Sequence, residues 1–166
     1  MSTRTIRLLI AAFVVLLLIA VIVLRRPSST GPRTPVEVIH LPFNKPDEVL
    51  TAGTYSGNVF FNITGQGKLS PDLSSDAFYP FKSSGLVTDD ANRDFGFMID
   101  NKYADILTIG NLPPYRPDHI YNDLFYFVAG EARHLSFRVA DWNTADNSGE
   151  LVIEIFNTVP ASYQGG

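Results

Sequence analysis

The sequence predicts an all-β domain, a two-sheet antiparallel sandwich with jelly-roll or Greek-key connections, preceded by one N-terminal transmembrane helix. Three observations lead there. One unbroken apolar run stands near the N-terminus, and apolar residues alternate with polar ones in several short segments after it. No window beyond the run repeats with the helical period, whereas a strand with one face on a core buries every second residue. A chain of 166 residues has room for one domain of ordinary size.

Residues 1–7 form a short lead. Leu8 to Leu24, "LLIAAFVVLLLIAVIVL", contains no polar side chain. As a helix it spans roughly 25 Å, the short end of what crosses a bilayer core. A cleavable signal peptide has a shorter apolar region that ends in small residues. Here the run ends in Leu24-Arg25-Arg26-Pro27, which offers no such site. The reading is a retained single-pass anchor, with the membrane as partner. Arg4 and Arg7 stand on one side of it and Arg25, Arg26 and Arg33 on the other, so the charge bias leaves orientation near a tie. Arg25 to Pro35, "RRPSSTGPRTP", reads as an extended, solvated stalk.

The sandwich is read over residues 36–157. "NVFFNI" turns Val59, Phe61 and Ile63 to one face. "HLSFRVA" turns Leu135, Phe137 and Val139 inward, and "ELVIEIF" does the same with Leu151, Ile153 and Ile155. "AFYPF", "FGFMI", "DILTI" and "DLFYFV" are further short strand candidates between Gly, Pro, Asn and Asp clusters. Short strands at such spacing favour two packed sheets. Residues 158–166 read as a flexible tail. From Val36 onward 8 Lys and Arg stand against 17 Asp and Glu, a balance that excludes nucleic acid as a partner. With no cysteine there are no disulfides, thiolate metal sites or cysteine nucleophiles.

The most polar stretch is "ADWNTADNSG", set between two strands. Calcium takes about 6–8 oxygen ligands. Asp141 and Asp146 offer carboxylates, Asn147 an amide oxygen, and Thr144 a hydroxyl or carbonyl. The same composition also suits a turn in which Asp146 and Asn147 bond their own backbone and Gly149 takes a positive φ. Both readings stand on composition alone.

From about Thr54 to Phe156 the chain resembles the bacterial galactophilic, calcium-dependent lectin family and its galactose-binding-like sandwich relatives. The segments that carry the resemblance are "VFFNITGQG", "SDAFYPF", "PPYRPDHIY" and "LSFRVADWNTADNSGELVIEI". In that family the equivalent loop binds calcium, and the calcium holds hydroxyls of a sugar. The resemblance thus implies Asp141, Thr144, Asp146 and Asn147 as metal ligands, calcium as cofactor and a carbohydrate as ligand. It also implies a backbone carbonyl donor from the loop that follows Gly67. The loop is about two residues shorter than the lectin's, and Asp146 stands where the lectin has asparagine. Lys68 to Asp94 holds neither the histidine nor the glutamine of the lectin's sugar loop.

Other residues have two readings each. Asp76 precedes an aromatic segment and either caps a turn or reaches Asp141. His119, among Tyr115, Tyr121 and nearby acids, is either a packed histidine or part of a ligand face. Trp142 either stacks on a ligand or fills the sandwich mouth. Asp90, Asn92 and Asp94 alternate like the start of an EF-hand loop, but the glycine comes one residue late and Asn101 stands where the closing acid belongs. Asn62-Ile63-Thr64 is a glycosylation sequon that reads as chance. Catalytic signals are poor: the three histidines are scattered, and no nucleophile elbow or phosphate-cradling loop occurs.

The expectation is a non-enzymatic binding module, anchored in the membrane with its C-terminal domain outside the cytoplasm. It would recognise a carbohydrate or similar polar ligand with calcium support. The alternative is a structural module of the cell envelope that contacts another envelope protein and has no metal site.

Overall fold

The computed structural model describes residues 33–87, 96–103 and 112–160. The apolar run Leu8 to Leu24, the "DILTI" segment and the Asp90–Asp94 loop lie outside the described residues. Among the described residues no helix is long and apolar enough to cross a membrane.

The described chain is all-β. Its strands are β1 (Glu37–Pro42), β2 (Val49–Leu50), β3 (Tyr55–Ser70), β4 (Leu73–Ser75), β5 (Pro80–Lys82) and β6 (Gly85–Leu86), then β7 (Gly96–Ile99), β8 (Lys102–Tyr103), β9 (Ile120–Arg133), β10 (Ser136–Ala140) and β11 (Ser148–Phe156). One sheet runs β1-β11-β3-β4-β5-β6, with β9 also on β3; the other runs β2-β10-β7-β8. Every pairing is antiparallel.

The alternation read from the sequence sets the inner faces. Phe61, Leu135, Leu151, Ile153 and Ile155 are fully buried, and Val59, Ile63, Phe137 and Val139 nearly so. Together with Ile39, Leu41, Phe97 and Ile99 they form one core drawn from both sheets. Phe137 stands edge-on to Phe61 of the facing sheet at 6.1 Å and stacks on Phe97 at 6.0 Å. Burying one such side chain stabilises the fold by about 1.5–3 kcal/mol.

"AFYPF" is strand only at Pro80–Phe81, because Ala77–Tyr79 bends around Asp76. The strand Glu37–Pro42 was not singled out from sequence, although Ile39 and Leu41 alternate inward. It zips in register onto β11, from Glu37 opposite Ile155 to Pro42 opposite Glu150.

Two carboxylates fasten the sheets. Asp100, at the β7–β8 turn with φ +49°, accepts from Tyr126 Oη at 2.8 Å, Arg133 at 2.6 Å and Ser136 N at 3.1 Å. Burial pushes its carboxyl up, but these donors and the Arg133 charge outweigh that and hold it below the usual range. Glu37 accepts from Ala52 N, Gly53 N and Tyr55 Oη. Burial raises its carboxyl, and those bonds with the nearby His134 bring it below its ordinary value.

Arg33 packs against the outer face of the large sheet. Its guanidinium lies 4.2 Å above the Phe156 ring, pairs with Asp123, and donates to Thr158 O at 3.2 Å. Phe156, Phe60 and Phe125 form one row across β11, β3 and β9 on the outer face, and Phe60 and Phe156 are nonetheless buried. A cation over an aromatic face suits such a half-covered row. On the same face Asn62 donates to Glu154 at 3.2 Å and accepts from Asp123 N at 3.0 Å. The nitrogen that glycosylation would modify is thus held mid-strand.

Candidate functional site

The chain crosses from β10 in the small sheet to β11 in the large one through residues 141–147. Asn143 begins the crossing in extended conformation, and its side chain accepts from Ala145 N at 3.3 Å, capping a 3₁₀ turn over Thr144–Asp146. The signal for this cap was present in the sequence, since an Asn before a short polar run is an ordinary N-cap. Asn147 closes the turn: its N–H bonds Thr144 O at 3.3 Å. Its side chain is buried and donates to Phe43 O at 3.1 Å, and Phe43 N in turn donates to Gly149 O at 3.0 Å.

Phe43 is the floor of the loop, and Gly67 makes room for its ring, while Gly149 lets β11 approach Gln66 and Gly67 of β3. Gly149 takes φ +90°, as the turn reading expected. It pairs with Gly67, where any Cβ would stand 2.4 Å from the Phe43 ring. Asn147 bonds Phe43 rather than its own backbone, a partner 104 residues away that no local pattern announces.

Two oxygens of this loop are buried without a hydrogen-bond partner, Asp141 Oδ2 and Asn147 Oδ1. Their companion atoms are satisfied, since Asp141 Oδ1 accepts from Trp142 N at 2.6 Å and Asn147 Nδ2 bonds Phe43. A buried acceptor left unmade costs about 1–3 kcal/mol, so each of these oxygens would gain from a donor or a cation; Arg138 Nε of β10 is likewise buried and unpartnered. The chemistry of the two oxygens, a carboxylate and an amide oxygen, suits a hard cation. Thr144 is half-buried and Asp146 exposed on the same turn, and the turn packs beside β3. Among the described residues no three His, Cys, Asp or Glu side chains are gathered so as to hold a metal. A cation here would rely on amide, hydroxyl and backbone oxygens besides the two acids.

Asp76 and His119 are brought together elsewhere. One edge of β3 carries β9 as far as Thr64 opposite Ile120, then β4 from Gly67 opposite Ser75. Asp76 follows β4 and His119 precedes β9, so both stand at the fork. Asp76 is buried, and its Oδ1 accepts from Phe78 N and Tyr79 N, each at 2.8 Å. Its Oδ2 meets His119 Nδ1 and Tyr121 Oη, each at 2.9 Å. Burial, then the Asp76 charge, pushes the Tyr121 phenol well above its usual range. His119, at φ +52°, stacks on Phe81 at 4.9 Å, and its carbonyl accepts from Gly65 N.

Both oxygens of Asp76 are thus taken up in closing the fork. Ser74 of β4 lies opposite Lys68, which lies opposite Ser148 at the loop's exit. Fork and loop are therefore separated by two strand spacings, on the order of 10 Å. Beside the fork is an open hollow of about 570 Å³, lined by Tyr115, Asp118 and Tyr121 among others. The charge of Arg116 on its wall is already paired with Asp118 at 2.9 Å. Trp142 joins neither cluster: it is 85% exposed.

A solved structure described as "EclA N-terminal domain; PllA-like lectin" aligns with 74% of this chain and 96% of its own, at 14% identity and a TM-score of 0.40. That likeness is too loose to bear on function. No family model matches the chain, and no curated protein does.

Proposed function

We propose that the protein is a non-enzymatic binding module whose β10–β11 loop holds calcium and, through it, a carbohydrate or similar polar ligand. The observation that carries this is the pair of buried, unpartnered oxygens, Asp141 Oδ2 and Asn147 Oδ1. Asp141, Asp146, Asn147 and Thr144 would hold the ion. Calcium, when bound, supplies a hard positive centre that attracts ligand oxygens. The chain's own contribution is to preset the loop: Asn143 caps the turn, and Phe43 with the Gly67–Gly149 pair anchors its exit. Loop sites with few carboxylates suit the higher calcium outside cells. This favours the domain standing outside the cytoplasm, tethered by the Leu8 to Leu24 anchor.

The test is calorimetry of calcium on the full-length chain in detergent, with a glycan array run with and without chelator. Calcium binding at millimolar concentration or tighter, and glycan signals lost on chelation, are expected. No heat of calcium binding at millimolar concentration refutes the reading. The second reading is a metal-free envelope interaction module. It draws on the Asn143 cap and the Asn147–Phe43 bond, which close the loop without an ion. Chelator-insensitive capture of an envelope protein, with stability indifferent to calcium, selects it.

A further inference from the structure

We propose that Arg138 is the centre of a carboxylate-binding site on the outer face of the small sheet, for a monocarboxylate that carries an apolar body. The inference is independent of the calcium-supported reading above and concerns a different face of the domain.

Four arginines stand among the described residues. Arg33, Arg116 and Arg133 are each paired with an aspartate. Arg138 is the exception. No described residue pairs with it, and its Nε is buried without a hydrogen-bond partner. A guanidinium ordinarily meets a carboxylate through its planar fork of donors. In a chain of net charge −4 carboxylates are in surplus, yet none is placed against this one.

The surroundings of Arg138 follow from strand alternation. Phe137 and Val139 of β10 belong to the core, so Ser136 and Arg138 face outward. Arg138 lies opposite Met98 of β7, and Met98 lies opposite Tyr103 of β8. The three make one row across the sheet, with neighbouring Cβ atoms about 4.5–5.5 Å apart. Ser136, on the same face, lies opposite Leu50 of β2. Met98 is buried although it stands outside the core cluster, while Leu50 and Tyr103 are 58% and 37% exposed. A half-buried guanidinium is thus set among apolar neighbours on both flanks. Lys102 belongs to the next row, opposite Ile99, so this row carries one positive charge.

That arrangement selects its ligand. With Nε sealed from solvent, an acceptor meets the guanidinium end-on, at Nη1 and Nη2. Partial burial leaves the charge less screened by water than that of an exposed arginine. One cation balances one carboxylate, whereas a phosphate dianion keeps an uncompensated charge beside an acidic domain. Met98, Tyr103 and Leu50 reward an apolar group attached to that carboxylate. The acid comes either from a free small molecule or from a side chain of a protein segment, and the two sources are separable.

Full-length protein in detergent is titrated by calorimetry with hydrocinnamate, its amide, acetate and inorganic phosphate. Hydrocinnamate should bind saturably. The amide, which lacks the charge, and acetate, which lacks the apolar body, should bind at least about tenfold more weakly, as should phosphate. A capped peptide with one glutamate between leucines is compared with its glutamine counterpart. Heat from the glutamate peptide alone, at equal or greater affinity than hydrocinnamate, marks a protein segment as the source; its absence marks a free acid. Arg138→Met keeps the stem and removes the fork. It should weaken hydrocinnamate at least about tenfold and leave the urea midpoint unchanged or raised, because a buried unmet N–H goes with it. Arg138→Lys keeps the charge without the fork and should recover part of the binding. Tyr103→Ala should narrow the gap between hydrocinnamate and acetate.

Absence of saturable heat from every carboxylate at millimolar concentration overturns the site, as does unaltered hydrocinnamate affinity in Arg138→Met. A urea midpoint lowered in both Arg138 variants makes Arg138 a structural residue instead. Phosphate binding tighter than hydrocinnamate overturns the ligand class. Calcium binding, present or absent, leaves each of these outcomes unchanged.

Discussion

Replacing Asp76 tests whether the fork in the large sheet is closed by one buried carboxylate. Asp76→Ala removes the acceptor for Phe78 N, Tyr79 N and Tyr121 Oη and the partner of His119. Tyr121 is 2% exposed, so its O–H losing its acceptor costs about 1–3 kcal/mol, although its oxygen still accepts from Arg116 N at 3.4 Å. The two amides belong to half-buried residues and recover part of their loss by hydration, at about 0.5–1 kcal/mol each. The methyl that remains also leaves a small void, so the loss should come to about 3–5 kcal/mol, with the terms not strictly additive. Asp76→Asn keeps an oxygen for the two amides and should cost about 1–2 kcal/mol. Urea unfolding followed by tyrosine and tryptophan emission measures both. The alternative role for Asp76, a ligand reaching the loop at Asp141, gives a different pattern: Asp76→Asn would abolish stabilisation by calcium. A loss under about 1 kcal/mol for the alanine variant, or loss of the calcium response in the asparagine variant, refutes the clasp.

Phe137→Ala should destabilise the domain by about 3–5 kcal/mol, since Phe137 is 1% exposed and packs on Phe61 and Phe97; urea denaturation checks it. Calcium at a hundredfold excess over its Kd should stabilise the wild type by about 2.7 kcal/mol. Asp141→Asn should leave the calcium-free protein as stable or more so and lose most of that gain in a thermal melt. Asp100 and Glu37 are held ionised below their ordinary values. Their contribution is therefore complete above the unfolded carboxylate pKa of about 4 and is lost as pH falls below it. The urea midpoint should fall in that window, less steeply in Asp100→Asn.

Much of the large-scale architecture was legible because burial on one face leaves period-two traces. Val59, Phe61 and Ile63, then Leu135, Phe137 and Val139, then Leu151, Ile153 and Ile155 all face the core as their spacing predicts. The second half of β3, Thr64 to Ser70, left no such trace. It is polar and glycine-rich, and it is extended because β11 and β4 pair with it on either side. "AFYPF" misled for the opposite reason: its aromatic residues suit a strand, but Asp76 draws their amides into a turn. The polar loop between β10 and β11 was visible from composition. Its floor was not, because Phe43 meets Asn147 across 104 residues of sequence. The meeting of Asp76 with His119, 43 residues apart, was equally out of reach of local patterns.

The register of β1 on β11 has a mechanical consequence. Under the proposed function, a ligand gripped by the loop would pull on β11 at Ser148, while a tether before Arg33 would pull on β1 from its other end. Glu37 lies opposite Ile155 and Pro42 opposite Glu150, so these two forces act at opposite ends of the paired strands. The ladder is then loaded in shear, with its hydrogen bonds strained together, instead of being peeled one at a time from an end. A short edge strand that would unzip easily under a transverse force is thus oriented to resist tension applied between the N-terminal end of β1 and the β10–β11 loop.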